Sequence, residues 1–528
     1  MIRSLDGCGL SRSGHRAIGS AAVTPSGHAA TAAIMLRIVA SIVVAAIVVT
    51  LRIVAATAAI VVAALIGVAG GAASAAEPAT GKTAGVAPAA AAAEGWKVGV
   101  ARVKVTPEKS MWMAGYAARK KPSEGVVQEL YAKALAFEDA TGRRMVIVTQ
   151  DLIGVPRALR ERLEKAMQEK HRLPPESLLL NASHTHCGPE LRMNRVPLDG
   201  PPEEVETRLK LSLDYTEQLF EKLSALVAEA LASLAPAKLD YQRSRCGFAM
   251  NRRRPTEKGF ANAPNSDGPV EHTVPVLRVT GTDGKLRAVL FGYACHNTSI
   301  GFDFFCGDYA GYAQEYFEAA NPGVTALFIT GCAGDQNPYP RGKIELVRQH
   351  GSTLATAIQA ALETVPRPIR GPLNPRYGLA TLEFAPPPNR EQLLLMAEGT
   401  QEPQRGHARR LLKQIEETGR IRDTYEYPVQ VVDFGSDLTL VALAGEVVVD
   451  YALRIPRELS GDRPVWVAGY SNDVFGYVPS ERVLREGGYE GGEAMRWGSL
   501  PGPFAPGVED RIIAKVKELA AQAAKDGK

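Results

Sequence analysis

Five stretches of this chain share one pattern: an apolar run, rich in β-branched residues, that ends on a single polar group. They are "RMVIVTQD", "SLLLNASH", "LRAVLFGYACH", "VTALFITGCAGD" and "LTLVALAGE", closing on Asp151, His184, His296, Asp335 and Glu446. Short runs of this kind predict buried strands. Between them lie segments with helical spacing at 158–171, 215–234 and 344–365. Strands alternating with amphipathic helices predict an α/β fold, here one large domain with a mixed sheet and flanking helices. In open α/β sheets, sites form at the carboxyl ends of strands, so the five polar tips are candidates for one site. Polar residues also mark where any strand leaves the core. That accounts for the aspartates better than for two histidines and a glutamate.

The first 75 residues obey different rules. Two apolar stretches follow Met35, the motif "LRIVA" occurs at 36–40 and again at 51–55, and Ala73-Ser74-Ala75 has the small-x-small form of a signal-peptidase site. An export signal is the first expectation, with a secreted, periplasmic or cell-surface protein as its consequence. A retained membrane anchor is the second, because 53–69 is nearly long enough to span a bilayer. Residues 1–34 are polar and irregular, and Met35 is a candidate start. Residues 76–94 read as an Ala/Pro linker, leaving 95–528 as the folded domain.

Export makes cysteine pairing relevant. Setting aside Cys8 in the leader, Cys187, Cys246, Cys295, Cys306 and Cys332 are odd in number, so at least one stays free, and buried thiols are the expectation for most. A net charge of +4 over 528 residues, with no basic stripe, gives no reason to expect nucleic acid. The chain has no GxSxG nucleophile elbow, and no phosphate loop or dinucleotide fingerprint outside the leader.

Only nine histidines are present, and "ASHTHCGPE" places His184 and His186 two residues apart. In an extended strand both imidazoles would share a face. Such a pair suits a metal ion or a proton-transfer site, and it equally suits a surface loop. His184, His296 and Glu446 together supply two imidazoles and a carboxylate, the ligand chemistry of a catalytic zinc with one position left open.

The stretch "ASHTHCGPE" resembles the SHTHxGP motif of the neutral/alkaline non-lysosomal ceramidases, enzymes that cut the amide bond of N-acyl sphingosine. Further segments are similar in the family's order. They are "VGVARVKVTP" with "MWMAGYA", "GRRMVIVTQDL", "NRRR" followed by "DGPVEHTVPVLRV", "ACHNTSIG" with "CGDYAGYA", "GCAGDQNP", "LAGE" and "SNDVFGYVPSERVLREGGYEGG", together spanning about 98–500.

The resemblance implies a zinc-dependent hydrolase of linear amide C–N bonds that attacks with metal-activated water. It implies His184, His296, Glu446 and Tyr477 as Zn2+ ligands, with His186, Tyr489 and Arg252 at the substrate carbonyl. It implies an N-acyl substrate, small or lipid-like, and a membrane surface as a further partner. Asp151 or Asp308 is the expected carboxylate behind a ligating imidazole. Two departures stand out. Asn337 replaces the serine of the family's Gly-Asp-x-Ser-Pro segment, and an amide cannot attack a carbonyl. About forty residues follow Tyr489, where full-length ceramidases continue into a β-sandwich, so no C-terminal β-sandwich is expected. The alternatives are a zinc esterase or amidase acting on non-lipid substrates and a non-catalytic relative that binds a ligand.

Overall fold

Both faces of the central sheet are apolar, and the period-2 alternation of its strands shows how. In Tyr131–Glu138, Ala132, Ala134 and Ala136 join one core while Leu135 and Phe137 join another, all fully buried. In Leu286–Tyr293, Val289 and Phe291 likewise face away from Ala288 and Leu290. A computed structural model describes residues 95–196, 200–459, 461–498 and 500–525; the leader and the linker expected over 1–94 lie outside the described residues.

From edge to edge the central sheet runs 325–330, 286–293, 273–281, 235–245, 96–104, 131–138, 144–150 and 178–182, with 367–369 attached to 235–245. The pairs 286–293 with 325–330 and 144–150 with 178–182 are parallel, and the other pairs are antiparallel. One face is covered by the helices Arg157–His171 and Pro202–Ala232 toward one edge, and by Asp308–Ala320 and Ile344–Leu362 toward the other. The opposite face packs on a second sheet, ordered 373–383, 424–434, 438–443, 465–468. There Phe434, Leu440 and Trp466 share a core with Phe137, Leu290 and Leu327. The outer face of the second sheet is sealed by Asp450–Glu458 and Val508–Lys525. The order of layers is therefore helix, sheet, sheet, helix.

All five stretches read as strands are strands, and the mixed α/β class is as expected. The second sheet was not foreseen. Its edge strand "LNPRYGLATLE" carries Pro375 and Gly378, which read as breakers in sequence but are tolerated at an edge.

The two edges of the central sheet are laced together by one asparagine. The Thr330 backbone N–H donates to Asn181 Oδ1 at 2.9 Å, and the Thr330 hydroxyl donates to the Ala182 carbonyl at 2.8 Å. The Asn181 amide in turn donates to the Gly469 carbonyl at 2.8 Å and to Ser471 Oγ at 3.1 Å. Asn181 lies in the strand that leads to His184, and Thr330 in the strand beside the one that leads to His296. The lacing is what brings the two histidines to one place. All five cysteines among the described residues are buried and unpaired. Among the described residues, no helix is long and apolar enough to cross a membrane.

Candidate metal centre

The strand carrying "LLLNA" ends at Ala182, and the chain then turns sharply. Ser183 N–H donates to the Gln150 carbonyl, His184 N–H donates to the Leu152 carbonyl, and His184 itself adopts φ 61°. A β-carbon at positive φ is strained, which a buried functional residue sustains only when its surroundings fix it. The imidazoles of His184 and His186 do meet, Nε2 to Nε2 at 3.1 Å, but through this left-handed turn rather than through strand alternation.

Three further donors arrive from other elements. His296 lies three residues beyond the strand Leu286–Tyr293, and its Nε2 lies 3.2 Å from Glu446 Oε2 and 3.2 Å from the Tyr477 hydroxyl. His184 Nε2 is also 3.2 Å from Glu446 Oε2. Glu446 and Tyr477 come from two short strands paired in parallel. Gly445, at φ +73°, sets up that pairing, because a Cβ there would lie 2.8 Å from the Gly476 carbonyl. The ligand nitrogens of His184, His186 and His296 all fall within 4.8 Å of one another.

The protonation pattern decides what this cluster can hold. His184 Nδ1 lies 2.6 Å from the Ile153 carbonyl, and His296 Nδ1 lies 2.6 Å from the Ala333 carbonyl. A carbonyl only accepts, so each Nδ1 carries the proton and each Nε2 presents a lone pair. Burial holds the His296 imidazole down at about 4, so it is neutral near pH 7. Glu446 sets one carboxylate oxygen, Oε2, 3.2 Å from both Nε2 atoms. Lone pairs on two imidazoles and a carboxylate thus face one another, an arrangement that a cation would satisfy. Four ligands around a tetrahedral zinc stand roughly 3.3–3.7 Å apart for bonds of about 2.0–2.3 Å, close to these separations.

His186 differs from the other two histidines. Its Nδ1 is buried without a partner, whereas ligating histidines almost always anchor their second nitrogen. Burial and the neighbouring imidazoles hold its pKa well below 6.5, so it is a neutral base at the edge of the cluster. The ring of Tyr489 sits 5.2 Å from that of Tyr477, and burial raises its phenol, which stays a hydrogen-bond donor. Arg252 spans the site: its Nε donates to Glu490 Oε1 at 2.8 Å, and its two terminal nitrogens donate to the Tyr477 hydroxyl at 2.9 Å and to Asn337 Oδ1 at 3.3 Å. Burial opposes its charge, but Tyr477 and Glu490 keep the guanidinium protonated.

Known proteins resemble this chain in sequence and in fold. The profile of the neutral/alkaline non-lysosomal ceramidase N-terminal region matches residues 96–352. Residues 96–352 belong to the neutral/alkaline ceramidase family. It is 25% identical over 259 residues to the neutral ceramidase of Pseudomonas aeruginosa, covering 46% of this chain and 37% of that protein. It is 23% identical over 268 residues to the neutral ceramidase of Drosophila pseudoobscura pseudoobscura, covering 47% of this chain and 36% of that one. The matched region thus spans little more than a third of either relative. In fold, the crystal structure of the Pseudomonas aeruginosa neutral ceramidase matches with a TM-score of 0.61 at 19% identity, covering 82% of this chain and 74% of that one.

The segment that matches the ceramidase profile contains His184, His186, Arg252, His296 and Asn337, whereas Glu446, Tyr477 and Tyr489 lie beyond it. The carboxylates expected behind the histidines are elsewhere. Asp151 accepts from Tyr131 N–H and from the Gln314 amide, and Asp308 accepts from Ile300 and Tyr309 N–H. Backbone carbonyls of Ile153 and Ala333 take their place. Asp335, another of the five polar strand tips, accepts from Val449 N–H and Asn251 and so braces the loop before the helix that follows Glu446. Sequence reasoning missed Tyr470, which is fully buried at φ 52° with its ring 4.6 Å from that of His184 and its hydroxyl unpartnered. It also missed Gly115: a Cβ there would lie 2.4 Å from the His186 ring. The signal in "MWMAGYA" was the glycine itself, the residue type that lets backbone come close to a side chain.

Proposed function

We propose that this protein is a zinc-dependent hydrolase of N-acyl amides, with His184, His296, Glu446 and Tyr477 holding the ion and His186, Tyr489 and Arg252 acting on the substrate. The observation that carries the reading is the pair of carbonyl-anchored imidazoles whose free Nε2 atoms both face the Glu446 carboxylate. A zinc ion held there would polarise the scissile carbonyl and lower the pKa of a bound water toward neutrality. The residues divide the remaining work. His186, neutral and without a partner at Nδ1, can take a proton and return it to the leaving amine nitrogen. The protonated phenol of Tyr489 supplies a hydrogen bond where charge develops on the carbonyl oxygen. Arg252 braces Tyr477 and Asn337 together and adds a fixed positive charge.

His186 sits close enough to serve as a third imidazole ligand, but its unanchored Nδ1 favours the proton-transfer role. The name of the Pseudomonas aeruginosa relative and the match to the family support an amide as substrate, including a lipid-like one presented at a membrane surface. The leader sequence supports export as the setting.

The test is metal analysis of the purified protein combined with release of fatty acid from fluorescent short-chain ceramide and from simple N-acyl amides. One bound zinc and turnover that stops with chelator are expected. Full activity in verified metal-free protein would overturn the mechanism.

A further inference from the structure

A cleft of about 720 Å³ opens beside the centre, walled by Tyr116, Thr298, Ile300 and the side chains of Lys120, Lys121 and Arg341. It shares two walls with the site. The Tyr116 ring lies 4.8 Å from that of His186, and the Thr298 hydroxyl donates to Asn337 Oδ1 at 3.3 Å. Its charge is one-sided. Arg119, Lys120, Lys121 and Arg341 line it against the single carboxylate of Asp303.

Two of these cations are already engaged. Arg119 pairs with Asp303 at 3.3 Å and donates to the carbonyls of His186 and Phe302, so it braces the wall. Lys121 pairs with Glu124 and Asp303. Lys120 and Arg341 have no carboxylate within ion-pair distance among the described residues. Arg341 is aimed by one hydrogen bond, which it donates to Thr298 Oγ1 at 3.3 Å. Exposed cations usually only solvate a surface. Here they rim a concavity whose apolar floor adjoins the reacting centre, where a low-dielectric wall focuses their field. An uncharged amide would gain nothing from that field.

We propose that this cleft receives an anionic group of the substrate, so that the preferred N-acyl amides are amphipathic molecules with a carboxylate, sulfonate or phosphate on one side of the scissile bond. The inference rests on the amide-hydrolase reading and specifies its substrate class. The apolar part lies over Tyr116 and Ile300, the negative end meets Lys120 and Arg341, and the amide reaches His186 past the shared wall.

The experiment uses the purified full chain and three probes of equal chain length: dodecanoyl-glycine, dodecanoyl-taurine and the uncharged dodecanoyl-glycine methylamide. In wild type, kcat/KM should favour the two anions. In the double variant Lys120→Glu, Arg341→Glu, the ratio of anionic to uncharged kcat/KM should fall about tenfold or more, mainly through KM. The glycine and taurine arms separate recognition of a planar carboxylate from that of a sulfonate. A ratio that the charge reversal leaves unmoved overturns the proposal. If none of the probes is hydrolysed, the amide-hydrolase reading fails, and calorimetric binding then decides the cleft by itself. Binding of dodecanoyl-glycine that exceeds that of the methylamide and is lost in the double variant sustains it; equal binding of the two overturns it.

Discussion

Glu446 and Tyr477 are aligned Cα to Cα across a parallel ladder two residues long, so a carboxylate and a phenol from distant parts of the chain leave the backbone on the same side. Their oxygens each lie 3.2 Å from His296 Nε2. The two side chains should nevertheless differ when altered. Glu446→Gln keeps the shape and removes the charge, and should lower zinc affinity by more than the roughly 10–100-fold typical of a change one layer further out. Tyr477→Phe removes an oxygen that also accepts from Arg252 at 2.9 Å, so it should additionally cost about 1–3 kcal/mol of stability by leaving a buried donor unpaired. Zinc titration and urea unfolding of both variants check this. Wild-type zinc affinity in both would remove these residues from the centre.

Gly115 is expected to control His186 without touching the ligands. At φ +99°, with a Cβ that would fall 2.4 and 2.5 Å from two atoms of the His186 ring and 2.7 Å from its β-carbon, Gly115→Ala must displace the imidazole. The zinc content should stay near that of the parent, because His184, His296 and Glu446 are not in the path. Turnover should fall by roughly a hundredfold, the usual penalty for misplacing a reacting group by about an ångström. Parent-like kcat in a variant with full metal would assign His186 no part in the chemistry.

Much of the centre was legible in the sequence because its residues sit just past apolar runs, where a polar residue is conspicuous. His184, His296 and Glu446 were visible for that reason, and Asp151 and Asp335 were visible for the same reason yet went to other work. What separates the two groups is the turn geometry beyond each strand, which run length and composition do not encode. The second sheet escaped because Pro375 and Gly378 interrupt one of its strands. Tyr470 escaped because it lies in a loop, where a tyrosine carries no periodicity. Its place is set by two long-range backbone bonds, its N–H to the Gly445 carbonyl and its own carbonyl to Ala182 N–H.

Asp308 and Asp335 should each withdraw stability as pH rises through the weakly acidic range. Burial raises the Asp308 carboxyl to about 6 and the Asp335 carboxyl to about 7, although backbone N–H donors work in the opposite sense. In the unfolded chain both ionise near 3.9, so between about pH 4 and 7 the folded state binds more protons than the unfolded one. Their contribution is therefore full below about pH 4, is lost as pH rises to about 6 for Asp308 and 7 for Asp335, and changes little beyond. The imidazoles of His296 and His186, held below their ordinary value, act in the opposite sense over the same window, so the measurement is a difference. Urea midpoints of metal-stripped wild type and Asp308→Asn are compared from pH 4.5 to 8. The wild-type midpoint minus that of the variant should shrink as pH rises to about 6 and stay level above it, while the contribution of Asp335 is common to both. A difference that stays constant or grows as pH rises to 6 would contradict the assignment.

Asn337 separates two chemistries that the family resemblance leaves open. Its Oδ1 accepts from Arg252 and from Thr298, each at 3.3 Å, so the amide ties the guanidinium to the segment just after His296. An amide has no nucleophilic hydroxyl. If a serine were needed at this place, the native protein would be inert and Asn337→Ser would create activity. With attack by water, the native protein is active, a chelator abolishes turnover, and serine-directed phosphonates leave it intact because no activated hydroxyl is present to trap. Asn337→Ser should then lower kcat/KM by roughly tenfold, since the shorter side chain cannot reach both donors and each weakened hydrogen bond is worth about 1 kcal/mol. His296→Ala provides the control: removing an imidazole from the centre should abolish metal binding and turnover together. A gain of activity in Asn337→Ser, accompanied by new sensitivity to phosphonates, would show that the position is built for a nucleophile and that water is not the attacking group.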